Sequence, residues 1–283
     1  DTMDAAFASM LAGNAVFLLD GYAKAIKVSS KGYPNLSVAE ASREKVLRGS
    51  KEGFTDAVKT NSALVRKRIR DTRLKVKQKT LGERSQTVVQ LLYMEDLIRP
   101  ELLQDIEDRL DSFVIDGVLD SGILEQLTED SWLSPFPQFQ TTERPDKCAA
   151  EILNGRILLL CDHSPIGMLL PAAFSDFLQV SEDHYNRFEI VSLQRLIRYA
   201  AVLFTMLFSG TYLAVTNFHT QVLPASLILS FSEARQGVPF PGVLEILFME
   251  LAFETIREAG VRMPGPLGGT IGIVGGLIVG QAA

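Results

Sequence analysis

The sequence predicts an α/β (α+β) water-soluble N-terminal region of two lobes, followed by an α-helical membrane region that is truncated at its C-terminal end. Three observations carry this. No Asp, Glu, Lys or Arg occurs from Tyr199 to Ser232, a second uncharged run covers Met263 to Ala283, and helix-sized and strand-sized apolar segments alternate upstream. Residues 196–215 alone supply the ~20 mostly apolar residues that a helix rising ~1.5 Å per residue needs to cross a hydrocarbon layer ~30 Å thick. The expected domains are a first lobe at 1–130, a second at 131–193 and a helical membrane region at 194–283.

The chain has 283 residues, enough for one or two domains with a sizeable core. Its 28 Lys and Arg against 34 Asp and Glu leave a net charge of -6, spread over mixed-sign segments, which argues against nucleic-acid binding. Beyond Tyr199 the charged residues are Glu233, Arg235, Glu245, Glu250, Glu254, Arg257, Glu258 and Arg262. The basic cluster Arg66, Lys67, Arg68, Arg70, Arg73, Lys75, Lys77 and Lys79 is read as a solvated loop or strand face in preference to an anion site. Cys148 and Cys161 fall on a predicted helix and on the strand after it, where reduced core thiols are expected. The N-terminus has neither a basic nor an apolar leader segment, and the chain starts without Met and stops inside an apolar run. It is expected to be a piece of a longer protein.

In order, residues 3–12 read as a helix stopped at Gly13-Asn14, and Ala15 to Leu19 as a buried strand ended by Asp20-Gly21. Ala149 to Leu153, Asn154-Gly155, Arg156 to Cys161 and Asp162 repeat that pattern. The echo fits two related lobes or a chance alternation equally well. Arg48 to Gly53 lacks the Gly-to-Gly-Lys frame of a phosphate loop. Phe54 to Ile69 has the apolar spacing of a surface helix, Leu74 to Lys79 alternates like an exposed strand, and Thr87 to Met94 reads as a buried one. Pro100 opens a helix through Leu110, where its missing N–H costs least. Gly117 and Gly122 punctuate two short elements, and Ser134-Pro135-Phe136-Pro137 is an extended turn. Thr142 is the expected cap of the next helix, amid charges that pin a loop.

No catalytic constellation emerges, and the chain is read as a non-enzyme with neither cofactor nor metal. His163, His184 and His219 share no ligand spacing. Asp162-His163-Ser164 names triad letters in a row, but triad geometry is spatial.

Arg187 and Arg195 precede the span at 196–215, Arg198 stands at its start, and few basic residues follow it, so the N-terminal region is expected on the cytoplasmic side. Asn217, Phe218 and His219 mark the far interface. Residues 222–232 are too short to cross and suit a half-helix or re-entrant segment. In the helix at 242–260, Glu250, Glu254, Arg257 and Glu258 share one side while Leu247, Phe248 and Leu251 face away; with Glu245 they form the candidate charged face. Either this is an amphipathic helix lying in the interface, or its face lines an aqueous path or grips another subunit. In the Gly-rich span at 265–283, Gly268, Gly272, Gly276 and Gly280 recur every four residues, the seam of a closely approaching helix.

Several spaced motifs resemble the A subunits of the GerA-type spore germinant receptor family. They are Ser134-Pro135-Phe136-Pro137-Gln138 running into Thr142-Glu143-Arg144-Pro145-Asp146; Asn154-Gly155-Arg156; Phe218-His219 with Leu223-Pro224; Val238-Pro239-Phe240-Pro241 with Glu245 and Met249-Glu250; Arg257-Glu258-Ala259-Gly260 with Arg262 and Pro264; and Val274-Gly275-Gly276 through Gly280-Gln281-Ala282-Ala283. Lys45 to Gly49 and Thr60-Asn61 through Arg66 and Arg68 resemble it too. Ala41 and Ser50 stand where the family usually has proline. The resemblance implies an integral protein of the spore inner membrane, its N-terminal domain facing the spore core. The implied partners are the membrane, a transporter-like B subunit, a lipoprotein C subunit and further copies of itself. It also implies an ion path opened by nutrient. A non-conducting scaffold that couples a nutrient-sensing partner to downstream proteins is the competing reading.

Overall fold

A computed structural model describes residues 6, 15–21, 24–28, 38, 40–41, 44, 46, 49–131, 133–234, 236, 240–262 and 274–277. The chain divides into two compact units, 1–191 and 192–283.

In the first unit, β1 (Ala15–Phe17) and β2 (Ile26–Val28) form a two-stranded antiparallel ribbon. Then come α1 (Val58–Arg68), β3 (Leu74–Leu81), β4 (Thr87–Met94), α2 (Pro100–Ser112), α3 (Ser121–Thr128), β5 (Gln140–Thr142), α4 (Pro145–Leu153), β6 (Ile157–Cys161) and β7 (Gly167–Leu170). The last five strands make one antiparallel sheet in the order β3-β4-β6-β7-β5.

Both faces of this sheet are covered, which explains why central strands β6 and β7 carry no polar side chain and β4 few. Successive side chains point to opposite faces. Leu158 and Leu160 of β6 and Leu92 and Met94 of β4 pack with Val58, Leu64 and Val65 of α1 and Cys148 and Ile152 of α4. On the other face Ile157, Leu159, Cys161, Val89 and Leu91 meet Ile106 and Leu110 of α2 and Leu124 of α3. Each such fully buried aliphatic side chain stabilises the fold by roughly 1.5–3 kcal/mol over leaving it in water.

This sheet corrects the two-lobe expectation. β3 and β4 precede residue 130, β5, β6 and β7 follow it, and β4 pairs with β6 through Val89–Cys161 and Leu92–Leu158. The two copies of the sequence echo lie in unlike places: β6 is central and wholly buried, whereas β1 sits in the separate ribbon with Phe17 57% exposed. The expected buried strand at 15–19 is thus a short, partly exposed one. The helix expected at 3–12 lies outside the described residues, save Ala6.

Edge strand β3 turns its lysines to α2 and to the end of β4, with Lys75–Glu95 at 3.0 Å, Lys77–Glu107 at 2.6 Å and Lys79–Asp111 at 2.7 Å. Lys67 and Arg68 both pair with Glu52 at 2.7 Å. Such exposed pairs contribute little individually, but lysines on an edge discourage further strands from adding there.

Two side chains organise α1. The Asn61 amide brackets Thr55: its Nδ2 donates to Thr55 O at 2.6 Å, and its Oδ1 accepts from Thr55 N at 2.7 Å. The Asp162 carboxylate, beyond the end of β6, accepts from Val58 N at 3.1 Å and so satisfies a first-turn donor from 104 residues away. Asn61 and Thr55 are buried. Asn61→Ala should therefore lower stability by about 2–3 kcal/mol, the cost of stranding buried backbone groups, measured as a reduced urea midpoint.

α5 (Phe188–Asn217) starts in the last residues of the first unit, lies otherwise in the second and contains the whole predicted span. Among the described residues it is the one helix long and apolar enough to cross a membrane. After a 3-10 turn at Thr220–Val222 comes α6 (Ala225–Ala234), too short to cross, with Phe231 edge-on to Tyr212 of α5 at 6.4 Å. α7 (Gly242–Arg262) follows.

Candidate functional site

On α7 the predicted charged residues separate into two groups. Arg257 pairs with Glu254 one turn back, and Arg262 pairs with Glu258 at 2.6 Å. All four are exposed. Glu250 has no cation one turn away; its Oε1 instead accepts a hydrogen bond from the Ser209 hydroxyl of α5 at 2.7 Å. Glu245 does not belong with them: at ~3.6 residues per turn it stands about half a turn round from Glu254.

The apolar residues expected to face away are exposed as well, Leu247 by 57%, Phe248 by 52% and Leu251 by 61%. Leu247 and Leu251 lie one turn before Glu250 and Glu254 on the same side. The inward side of α7 is another one. Phe253 and Ile256 meet the helical turn at 274–277, and Gly260 is buried.

That turn holds what is described of the glycine seam. A Cβ added to Gly275 would collide with Ile256 Cγ2, and one on Gly276 would stand 3.6 Å from Phe253. Gly268, Gly272 and Gly280 lie outside the described residues. The close approach sits at Gly275, beside the predicted row, and its partner is a helix of the same chain. Gly275→Ala should lower the melting temperature of the detergent-solubilised chain. Gly210→Ala, where an added Cβ meets nothing within 4 Å, should leave it unchanged or raise it by the helix propensity gained.

In the first unit the structure assembles a charged cluster that sequence reasoning took for a pinned loop. Arg144, 1% exposed, donates to Asp146 Oδ2 at 2.7 Å, Ser50 O at 2.9 Å and Glu44 O at 3.2 Å. Tyr185 donates its hydroxyl to the same Asp146 oxygen. Its ring also lies against Gly49, where a Cβ would come within 2.6 Å of it and where φ is +121°. The Glu44 carboxylate accepts from Thr142 Oγ1, from Glu143 N at 3.1 Å and from Lys147 Nζ at 3.3 Å. Thr142 is therefore not the helix cap that its position suggested. α4 begins at Pro145 after Arg144, and the Thr142 hydroxyl bonds Glu44 and Arg144 N.

Burial by itself would raise the Asp146 carboxyl, but the Arg144 guanidinium and the Tyr185 hydroxyl outweigh it and hold the pKa below the ordinary 3.8. Burial, then the Asp146 charge, pushes the Tyr185 hydroxyl up. Burial likewise raises the Cys148 thiol well above its usual value and Cys161 to about 12. Both cysteines are free and buried, on opposite faces of the sheet.

Asp146→Asn leaves a buried guanidinium short of its charge partner and should cost roughly 3–5 kcal/mol in a urea titration at neutral pH. Because the folded pKa of Asp146 is depressed, its contribution is complete above the unfolded value of 3.8 and fades as pH falls through the folded one. The gap between parent and variant should accordingly narrow on acidification below that value.

Asp162, His163 and Ser164 do not converge. Asp162 caps α1, His163 takes φ +71° in the β6–β7 turn, and Ser164 Oγ bonds Ser121 Oγ at 2.9 Å.

Residues 1–283 match the model of the family described as Bacillus/Clostridium GerA spore germination protein. The spore germination protein GerLA of Bacillus cereus is 41% identical over 275 residues, 97% of this chain and 56% of that protein. A Bacillus subtilis membrane protein, YfkQ, is 39% identical over 282 residues, 100% of this chain and 55% of its own length. The chain thus spans just over half the length of these relatives. The crystal structure of the N-terminal domain of the A subunit of the Bacillus megaterium spore germinant receptor GerK3 is 38% identical, with a TM-score of 0.36 over 43% of this chain and 97% of that one. Family match and relatives agree, and the chain belongs to the GerA family of spore germination proteins.

Proposed function

We propose that this chain is the A subunit of a nutrient germinant receptor, anchored in the spore inner membrane by α5 with its first unit on the core side. There it oligomerises, joins a transporter-like B subunit and a lipoprotein C subunit, and forms or gates an ion path that triggers germination.

The observation that carries the ion path is the Ser209–Glu250 contact. Ser209 lies in the middle third of the apolar stretch of α5. An ionised acid at comparable depth in lipid costs ~2.5–3.5 kcal/mol. One hydrogen bond to a hydroxyl returns ~1.5–3 kcal/mol at most, so the carboxylate calls for water, a cation or another subunit beside it. The outer part of α7 speaks for the competing scaffold reading, because Glu254, Arg257, Glu258 and Arg262 neutralise one another within the helix and suit a face resting in the interface.

Ion flux from liposomes containing the full-length receptor separates the two. Under the conducting reading, Glu250→Gln lowers nutrient-dependent flux by tenfold or more while the subunits still co-purify. No nutrient-dependent flux from the parent receptor overturns conduction, and loss of the complex in the variant favours the scaffold.

A further inference from the structure

We infer that two helices on opposite faces of the first unit's sheet meet between copies of this chain: the basic outer stripe of α1 in one copy seats against the acidic outer stripe of α2 in the next. α1 contains four cations and no anion, whereas α2 contains five anions and one cation. α1 packs on one face of the sheet beside α4, and α2 on the other beside α3. The first unit therefore presents opposite charge on its two helical sides.

Burial determines which of these charges point outward. Val58, Asn61, Leu64 and Val65 turn α1 towards the sheet, which leaves Lys59, Ala63 and Arg66 on its outer side and Arg70 just past its end. Lys59, Arg66 and Arg70 are exposed and make no ion pair with any described residue. Ile106 and Leu110 turn α2 inward, so Glu101, Gln104 and Asp108 point out. Asp108 accepts a hydrogen bond from Gln104 at 2.7 Å, yet neither it nor Glu101 has a cation among the described residues. Glu107 and Asp111 are already held by Lys77 and Lys79 of β3, at 2.6 and 2.7 Å.

A second copy is the occupant that answers both stripes. Glu101, Asp105, Asp108 and Asp111 follow one another at steps of three and four residues, and like-charged neighbours at those steps destabilise a helix. Asp111 also stands at the negative end of the helix dipole. Cations brought from outside relieve both. The stripes match in length, since Lys59 to Arg66 and Glu101 to Asp108 are each seven residues apart, two turns or ~10 Å. The contact uses a different face of each copy, so a joined pair still presents one free surface of each sign; such a head-to-tail series closes into a ring or continues as a fibre. An anionic membrane would engage the α1 stripe but offer α2 nothing. This surface presupposes the self-association proposed above and gives it a location. Exposed ion pairs are individually weak and screened by salt, but copies sharing one membrane meet at a raised effective concentration.

Cysteine cross-linking in phosphatidylcholine liposomes tests this. Whole chains carrying Ala63→Cys or Gln104→Cys, both at exposed positions that leave the charges in place, are reconstituted separately or together and treated with a short bismaleimide; the native Cys148 and Cys161 are buried. The mixture should give at least fivefold more cross-linked dimer than either variant alone, and the yield should fall at least fivefold between about 50 and about 500 mM salt, as the screening length shortens. Lys59→Glu with Arg66→Glu on the Ala63→Cys chain should remove the product, and adding Glu101→Lys with Asp108→Lys to the Gln104→Cys chain should restore it. Equal yield from either variant alone, or no restoration by the double reversal, overturns the head-to-tail contact. Absence of the mixed product while sedimentation in detergent still shows oligomers overturns this surface and leaves self-association standing; a monomeric parent overturns both. Absence of product with the Ala63→Cys thiol shielded from maleimide only when phosphatidylglycerol is present assigns the α1 stripe to the membrane surface, which also overturns the contact.

Discussion

A guanidinium cannot be buried without partners, and at Arg144 that requirement organises the first unit. Its donors reach the backbone at 44 and 50 and the carboxylate of Asp146, so a segment about 100 residues upstream is tied to the start of α4. Tyr185 closes the cluster from the far side and lies against Gly49. A buried ion pair adds modest net stability against an apolar replacement, yet it tolerates few alternative arrangements. Its effect here is to join the upstream strap, the sheet and the turn that runs into α5.

The sheet sets a second constraint. Because helices cover both of its faces, β6 and β7 are apolar on both sides and β4 nearly so, with Thr87 and Gln90 its buried polar residues, and one register fits all the contacts. Leu91 and Leu92, adjacent in sequence, belong to opposite cores. Buried polar groups collect mainly at the margins. Asn61 with Thr55, Asp162 with α1 and Gln140 with Asp176 all satisfy backbone groups at the margins of the sheet.

The second unit turns apolar side chains outward. α5 exposes Leu203, Phe204, Met206, Leu207 and Phe208, a surface suited to lipid. Against such a surface, the pairing of each charge matters more than the number of charges. Arg257 and Arg262 settle Glu254 and Glu258 locally, leaving Glu250 to Ser209. Close helix packing depends on small residues, and Gly275 beneath Ile256 is one instance.

Local patterns in the sequence were sufficient for the elements whose cause is local. Thr87–Met94 is mostly apolar, Pro100 stands at the first position of α2, and the basic run at 66–79 meets acidic neighbours, so each could be read directly. The charge-free stretch after Tyr199 foretold α5 in the same way. Only tertiary structure decided the rest, because it turned on partners distant along the chain. Pairing of β4 with β6 merged the two expected lobes, Glu44 drew Thr142 away from capping, and Ile256 packs against Gly275, beside Gly276 of the spaced row. Spacing along a helix or strand determines which way a residue points, but what it meets there depends on contacts formed by loops that no period encodes.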